Sequence, residues 1–90
     1  MSKYHIALTA QAQRQLKKLR NKKIEGRILD LLEAIAKNPR EGIGRPKNLL
    51  GMDIETWSRR IDAKNRIVYQ IYNQERLVIV LSISGHYNDK

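Results

Sequence analysis

Cysteine is absent from the chain, which excludes disulfides and thiolate metal centres and agrees with the reducing, cytoplasmic setting expected here. Histidine occurs only twice, as His5 and His86. The two form neither an HxH nor an HExxH pair, so no metal and no cofactor is expected. The stretch GIGRPKN lacks the strand–helix flanks and the spacing of a phosphate-binding P-loop, and spacing assigns no Ser-His-Asp group. No apolar run approaches the roughly 18 residues of a membrane span, and the opening MSKYHIALTAQAQRQLKK has no apolar leader segment, so no membrane association is expected. Carboxylates are scarce: nine Asp/Glu face 18 Lys/Arg, for a net charge of +9.

That excess is the strongest global signal. A positive field draws polyanions and speeds encounter with them. RNA, DNA, an anionic membrane surface and an acidic protein are the generic candidates, against the plainer reading of a solvated basic surface. With 41% hydrophobic and 30% charged residues in 90, the composition is that of a globular chain rather than a disordered one. The length implies a single domain over residues 1–90 with one modest core.

KYHIAL offers a first short strand, and Thr9 is placed to cap the helix after it. Ala12, Leu16 and Leu19 make one helical stripe, with Lys17, Lys18 and Arg20 at its C-terminal end. Asn21 marks a break. Ile24, Ile28, Leu31, Leu32 and Ile35 form a second stripe of period 3.6, closed by Asn38-Pro39. Lys22 and Lys23 stand near the start of this second helix, where the helix dipole disfavours cations, and nothing in the sequence explains them. Residues 40–53, REGIGRPKNLLGMD, read as one long loop, and loops of that length are often functional. The period then changes to two. IETWSRRI, RIVYQIY and LVIVLSIS, joined by the turns DAKN and NQER, predict an antiparallel meander. The order is β-α-α-β-β-β and the class α+β, with both helices on one face of a small sheet. The first strand is expected at an edge or beside the last one.

Alternation assigns the faces. Trp57, Ile61, Ile67, Tyr69 and Ile71 are assigned to the helices. Thr56, Ser58, Arg60, Arg66, Val68 and Gln70 are assigned to the uncovered side. Arg60 and Arg66 therefore share that side, flanking the DAKN turn. Two guanidiniums on one face suit a phosphate, whose oxygens the planar fork engages in pairs; arginines covering a solvated face is the other reading. His86 and Tyr87 follow the last strand, and an imidazole transfers protons near neutral pH. His5 has no chemical neighbour in the sequence and takes a structural role. Acid–base groups beside a cationic phosphate clamp match the needs of a ribonuclease in which the 2′-OH attacks its own phosphate. That reaction requires a base, cations for the pentacoordinate phosphate, and an acid for the departing oxygen.

The residues GRPKNLLG…WSRRIDAKNRIVYQI…SGHY resemble the YoeB/Txe branch of the RelE/ParE toxin superfamily; the N-terminal half matches mainly in size and helix order. The resemblance implies a RelE-like fold and a toxin of a type II toxin–antitoxin system, acting as a ribosome-dependent endoribonuclease (an mRNA interferase) on mRNA in the ribosomal A site. It implies a cognate acidic antitoxin that blocks the active face, and operator DNA bound through the antitoxin complex. Carried over by position, Arg66 resembles the catalytic arginine and His86 the general acid. Tyr87 resembles the aromatic that orients the substrate or stacks on it. Arg60, with Arg45 of the G-R-P loop, is assigned to phosphate binding.

One position departs from the branch. Its loop carries a glutamate after the proline, taken as general base, where this chain has Lys47. The wider family includes members with a lysine base, and burial and like charge disfavour an ammonium. Lys47 is therefore given the base's place, with simple phosphate binding and weak or absent cleavage as open alternatives. A non-cleaving relative of the ParE type, acting on a protein such as DNA gyrase, is the alternative function; W-S-R-R and H-Y belong to the nuclease branch and weigh against it.

Overall fold

The structure, a computed structural model, describes residues 3–84. Strand β1 (His5–Leu8) leads into helices α1 (Ala10–Lys18) and α2 (Lys22–Lys37). Strands β2 (Lys47–Asn48), β3 (Thr56–Arg60), β4 (Arg66–Tyr72) and β5 (Leu77–Ser84) follow. They form one five-stranded sheet in the order β1-β5-β4-β3-β2, antiparallel except for the parallel β1–β5 pair. This is the expected α+β arrangement with one addition. The segment 40–53, read as unbroken loop, contributes β2. Two residues are too few to show an alternation, and only the pairing of Lys47 with Ser58 and Asn48 with Trp57 marks the strand.

Both helix starts are capped as side-chain chemistry dictates. The Thr9 hydroxyl oxygen accepts from the Ala12 N–H and the hydroxyl donates to the Leu81 carbonyl, tying α1 to β5. Asn21, read as a break, caps α2: its side-chain oxygen accepts from the Lys23 and Ile24 N–H groups. The core lies between α2 and one sheet face. Ile28, Leu31 and Ile35 of α2 meet Ile67, Tyr69 and Ile71 of β4 and Val78, Val80 and Ile83 of β5, with Ala12 from α1. Ile61 is buried in this core and Trp57 packs half-buried against it, both on the expected side.

On β5 the inward positions run 78, 80, 83, a step of two and then three. The pairing explains it. Val68 faces Ser82 but Tyr69 faces Val80, so Leu81 is an extra residue in a β-bulge. The bulge shifts the phase of the strand and turns Ser82 and Ser84 onto the same face as Val68 and Arg66. The helix-free face is less bare than alternation implied: Thr56, Ser58, Val68 and Ser82 on it are all buried.

Candidate active site

Cross-strand register builds the site. One row runs Lys47–Ser58–Val68–Ser82 across β2, β3, β4 and β5, and the next runs Arg60–Arg66–Ser84. Directly paired residues project to the same face, so both rows lie on the helix-free side. Arg45, Lys47, Ser58, Arg60 and Arg66 line a cavity of about 210 Å³. That is smaller than the roughly 300–1,000 Å³ of small-molecule pockets, and suits a single charged group with its immediate attachments. Among the described residues, four of the five that line it are cations and none is a carboxylate. Such a cavity attracts an anion and excludes a cation. The Ser82 hydroxyl, farther along the first row, is buried with no hydrogen-bond partner among the described residues.

Four residues singled out in the sequence thus meet around one volume: Arg45, Lys47, Arg60 and Arg66. His86 and Tyr87 lie outside the described residues. Glu55, a carboxylate immediately before β3, is engaged elsewhere. It accepts from Arg40 Nε at 2.9 Å, from Arg40 Nη2 at 2.9 Å and from Trp57 Nε1 at 2.8 Å. The Arg40 guanidinium, and after it the indole N–H, hold the Glu55 carboxyl below its ordinary value.

Alternation puts Arg59 on the inward side of β3, and no motif in the sequence gives it a chemical role. It is fully buried. Its Nε donates to the Tyr69 hydroxyl oxygen at 3.0 Å, Nη1 to the Ile43 carbonyl at 3.1 Å, and Nη2 to the carbonyls of Asn38 and Glu41 at 2.7 and 2.8 Å. Tyr69 in turn donates to the Pro39 carbonyl at 2.7 Å. Burial pushes the Tyr69 phenol upward, partly offset by the guanidinium. The only sequence signal for this hub was a charged residue at an inward position.

A second, larger cavity of about 380 Å³ opens on the other side of the hairpin end, lined by Lys23, Ile24, Arg27, Ile61 and Asp62. It gives Lys23 a structural setting, but Asp62 divides its charge. Asp62 is itself occupied by the Asn65 side chain and by the backbone N–H groups of Asn65 and Lys64.

A family model for YoeB-like toxins of bacterial type II toxin–antitoxin systems matches residues 12–87. The chain is 42% identical to Toxin YoeB of Synechocystis sp. over 67 residues, 74% of this chain and 76% of that protein. Among solved structures, a YoeB/ParE toxin from Agrobacterium tumefaciens superposes with a TM-score of 0.82 at 27% identity, covering 92% of this chain and 99% of that one. YoeB in a heterotetrameric YoeB–YefM toxin–antitoxin complex from Staphylococcus aureus superposes with a TM-score of 0.77 at 30% identity, covering 96% and 100%. Sequence, fold and coverage agree, and the chain belongs to the YoeB-like toxins of bacterial type II toxin–antitoxin systems.

Proposed function

We propose that this toxin is a ribosome-dependent endoribonuclease that cuts mRNA in the A site, acting in the cytoplasm as a single domain. The observation that carries the reading is the meeting of four cations, with no carboxylate among the described lining residues, around one cavity on the helix-free face. In this mechanism the scissile phosphate occupies that cavity. A base removes the proton of the 2′-OH, the freed oxygen attacks the adjacent phosphorus, and the bond to the 5′-oxygen breaks as an acid protonates it. Arg66 and Arg60 stabilise the extra negative charge of the pentacoordinate phosphate, and Arg45 holds a non-bridging oxygen or a flanking phosphate. Lys47 stands in the base's place. His86 donates to the leaving oxygen and Tyr87 orients the nucleotide, roles that rest on the family resemblance.

The same charge supports the choice of partner. An acidic antitoxin segment laid over the cationic face would block the phosphate cavity, and the S. aureus relative was solved with its YefM antitoxin. Operator DNA is engaged through that complex.

Expression in growing bacteria tests the reading. The wild type should arrest translation and generate new mRNA 5′ ends at A-site codons, and Arg66→Ala should do neither. Arrest that survives Arg66→Ala, or arrest without new 5′ ends, would sink it; inhibition of a protein target such as gyrase in the latter case would favour the non-cleaving alternative.

A further inference from the structure

We propose that Arg59 is a positioning residue for the phosphate cavity: from beneath the sheet it grips the loop that carries Arg45 and Lys47, and so holds those two cations over the site. Its neighbours in β3, Ser58 and Arg60, line the cavity directly. Arg59 points the opposite way, is fully buried, and gives every hydrogen bond described for it to an uncharged oxygen. A buried guanidinium without a carboxylate is an expensive choice at an inward strand position, where a well-packed apolar side chain is often neutral or stabilising instead. The partners account for it. Three of the four acceptors are carbonyls of residues 38, 41 and 43, which follow α2 in an irregular segment; of these, the Asn38 carbonyl also accepts from the Glu41 N–H at 3.4 Å.

The grip lies close to the site along the chain. The Ile43 carbonyl held by Arg59 is followed by Gly44, whose own carbonyl accepts from the Arg60 N–H at 2.6 Å. Arg45 comes next, with φ 52°, and after Pro46 the chain enters β2 at Lys47. Gly42 and Gly44 both have positive φ, and a Cβ on either would meet an Arg59 side-chain atom at 3.0 or 3.2 Å. The loop is therefore moulded on the Arg59 side chain, at Gly42 on its guanidinium and at Gly44 on its Cβ, and the orientation of Arg45 and the entry of Lys47 into the sheet follow from that grip.

This rests on the phosphate-binding half of the functional reading and not on cleavage, so its test uses an RNA that cannot be cut. The intact toxin is titrated with a 2′-O-methyl RNA oligonucleotide over a salt series. Each phosphate contact on a single strand contributes about 0.7 to the slope of log affinity against log salt. Arg45→Ala and Lys47→Ala should each lower the slope by about that amount. Arg59→Met removes a charge that faces away from the cavity, yet should lower the slope by about 1.4, the sum of the two. Adding Arg45→Ala to Arg59→Met should then change nothing further. Where Arg59→Met fails to fold, Arg59→Lys and Tyr69→Phe carry the same test, each loosening the grip while keeping the bulk of the side chain, and each should lower the slope in part. A folded Arg59 variant that keeps the wild-type slope, or one in which Arg45→Ala still subtracts its full increment, overturns the inference alone. A flat wild-type slope overturns the phosphate-binding reading as well.

Discussion

Arg60 and Arg66 stand directly opposite one another across the β3–β4 pair, at the end closed by the 61–65 turn. Like charges placed so are destabilising in a sheet. The pair lines the anion-attracting cavity. A local rule broken at a site is what functional selection leaves behind.

Neutralising one member should therefore stabilise the protein while disarming it. Arg66→Gln is expected to raise unfolding stability by about 0.2–1 kcal/mol, read as a higher midpoint in urea, and to lower cleavage by about 10²–10³-fold. A loss of stability together with activity would mean that the arginine serves the fold instead.

The two glycines at the ends of the structural scale should behave oppositely. Gly44 has φ 85°, and an added Cβ would meet Leu31 Cδ2 at 2.6 Å and the Arg60 backbone oxygen at 3.2 Å. Gly44→Ala is expected to cost about 2–4 kcal/mol. Gly26 is exposed one turn past the start of α2, with nothing within 4 Å of the added atom, so Gly26→Ala is expected to add about 0.5–1 kcal/mol. Thermal melts of the two variants beside the wild type check both signs.

Acid should reveal the Glu55 cluster. Its carboxyl lies below the ordinary 4.5 in the folded protein, chiefly through Arg40. The stabilisation is thus present above that value and is lost as pH falls through the folded one. Both side chains are more than a third exposed, and solvent screening keeps the pair at about 0.2–1 kcal/mol, the range of surface ion pairs. The stability gap between wild type and Glu55→Gln should be open at pH 6 and should narrow as pH falls below 4.5 and through the folded value. A gap independent of pH would assign the effect to packing.

Lys47 is tested by the residue its branch uses. Lys47→Ala is expected to slow single-turnover cleavage by about 10²–10⁴-fold, and Lys47→Glu by less, because the carboxylate restores a base at the same place. An inactive glutamate variant beside an active alanine variant would count against the base assignment.

What the sequence disclosed and what it hid divide along physical lines. The α2 stripe of Ile28, Leu31 and Ile35 and the inward set Ile67, Tyr69 and Ile71 repeat with helical and strand periods, and the core is built on them. The Thr9 cap needs only a hydroxyl at the right place, and it is there. The alternation that put Arg60 and Arg66 on one face agrees with their register. Strand β2 was hidden because two residues carry no period. The bulge at Leu81 was hidden because LVIVLSIS is apolar almost throughout, leaving no alternation to interrupt. The role of Arg59 was hidden for another reason: its loop partners are backbone carbonyls, which have no identity in a sequence.

The parallel pairing of β1 with β5 also orders events during synthesis. Thr9 and Leu81, which bond across that pair, are 72 residues apart, and among the described residues β1 has no other strand partner. Until β5 has been made, the hydrogen-bonding edge of the first strand stays vacant and β4, with Arg66, lacks its neighbour on one side. A nascent chain therefore completes its cationic face only once β5, the last of the five strands, has been made.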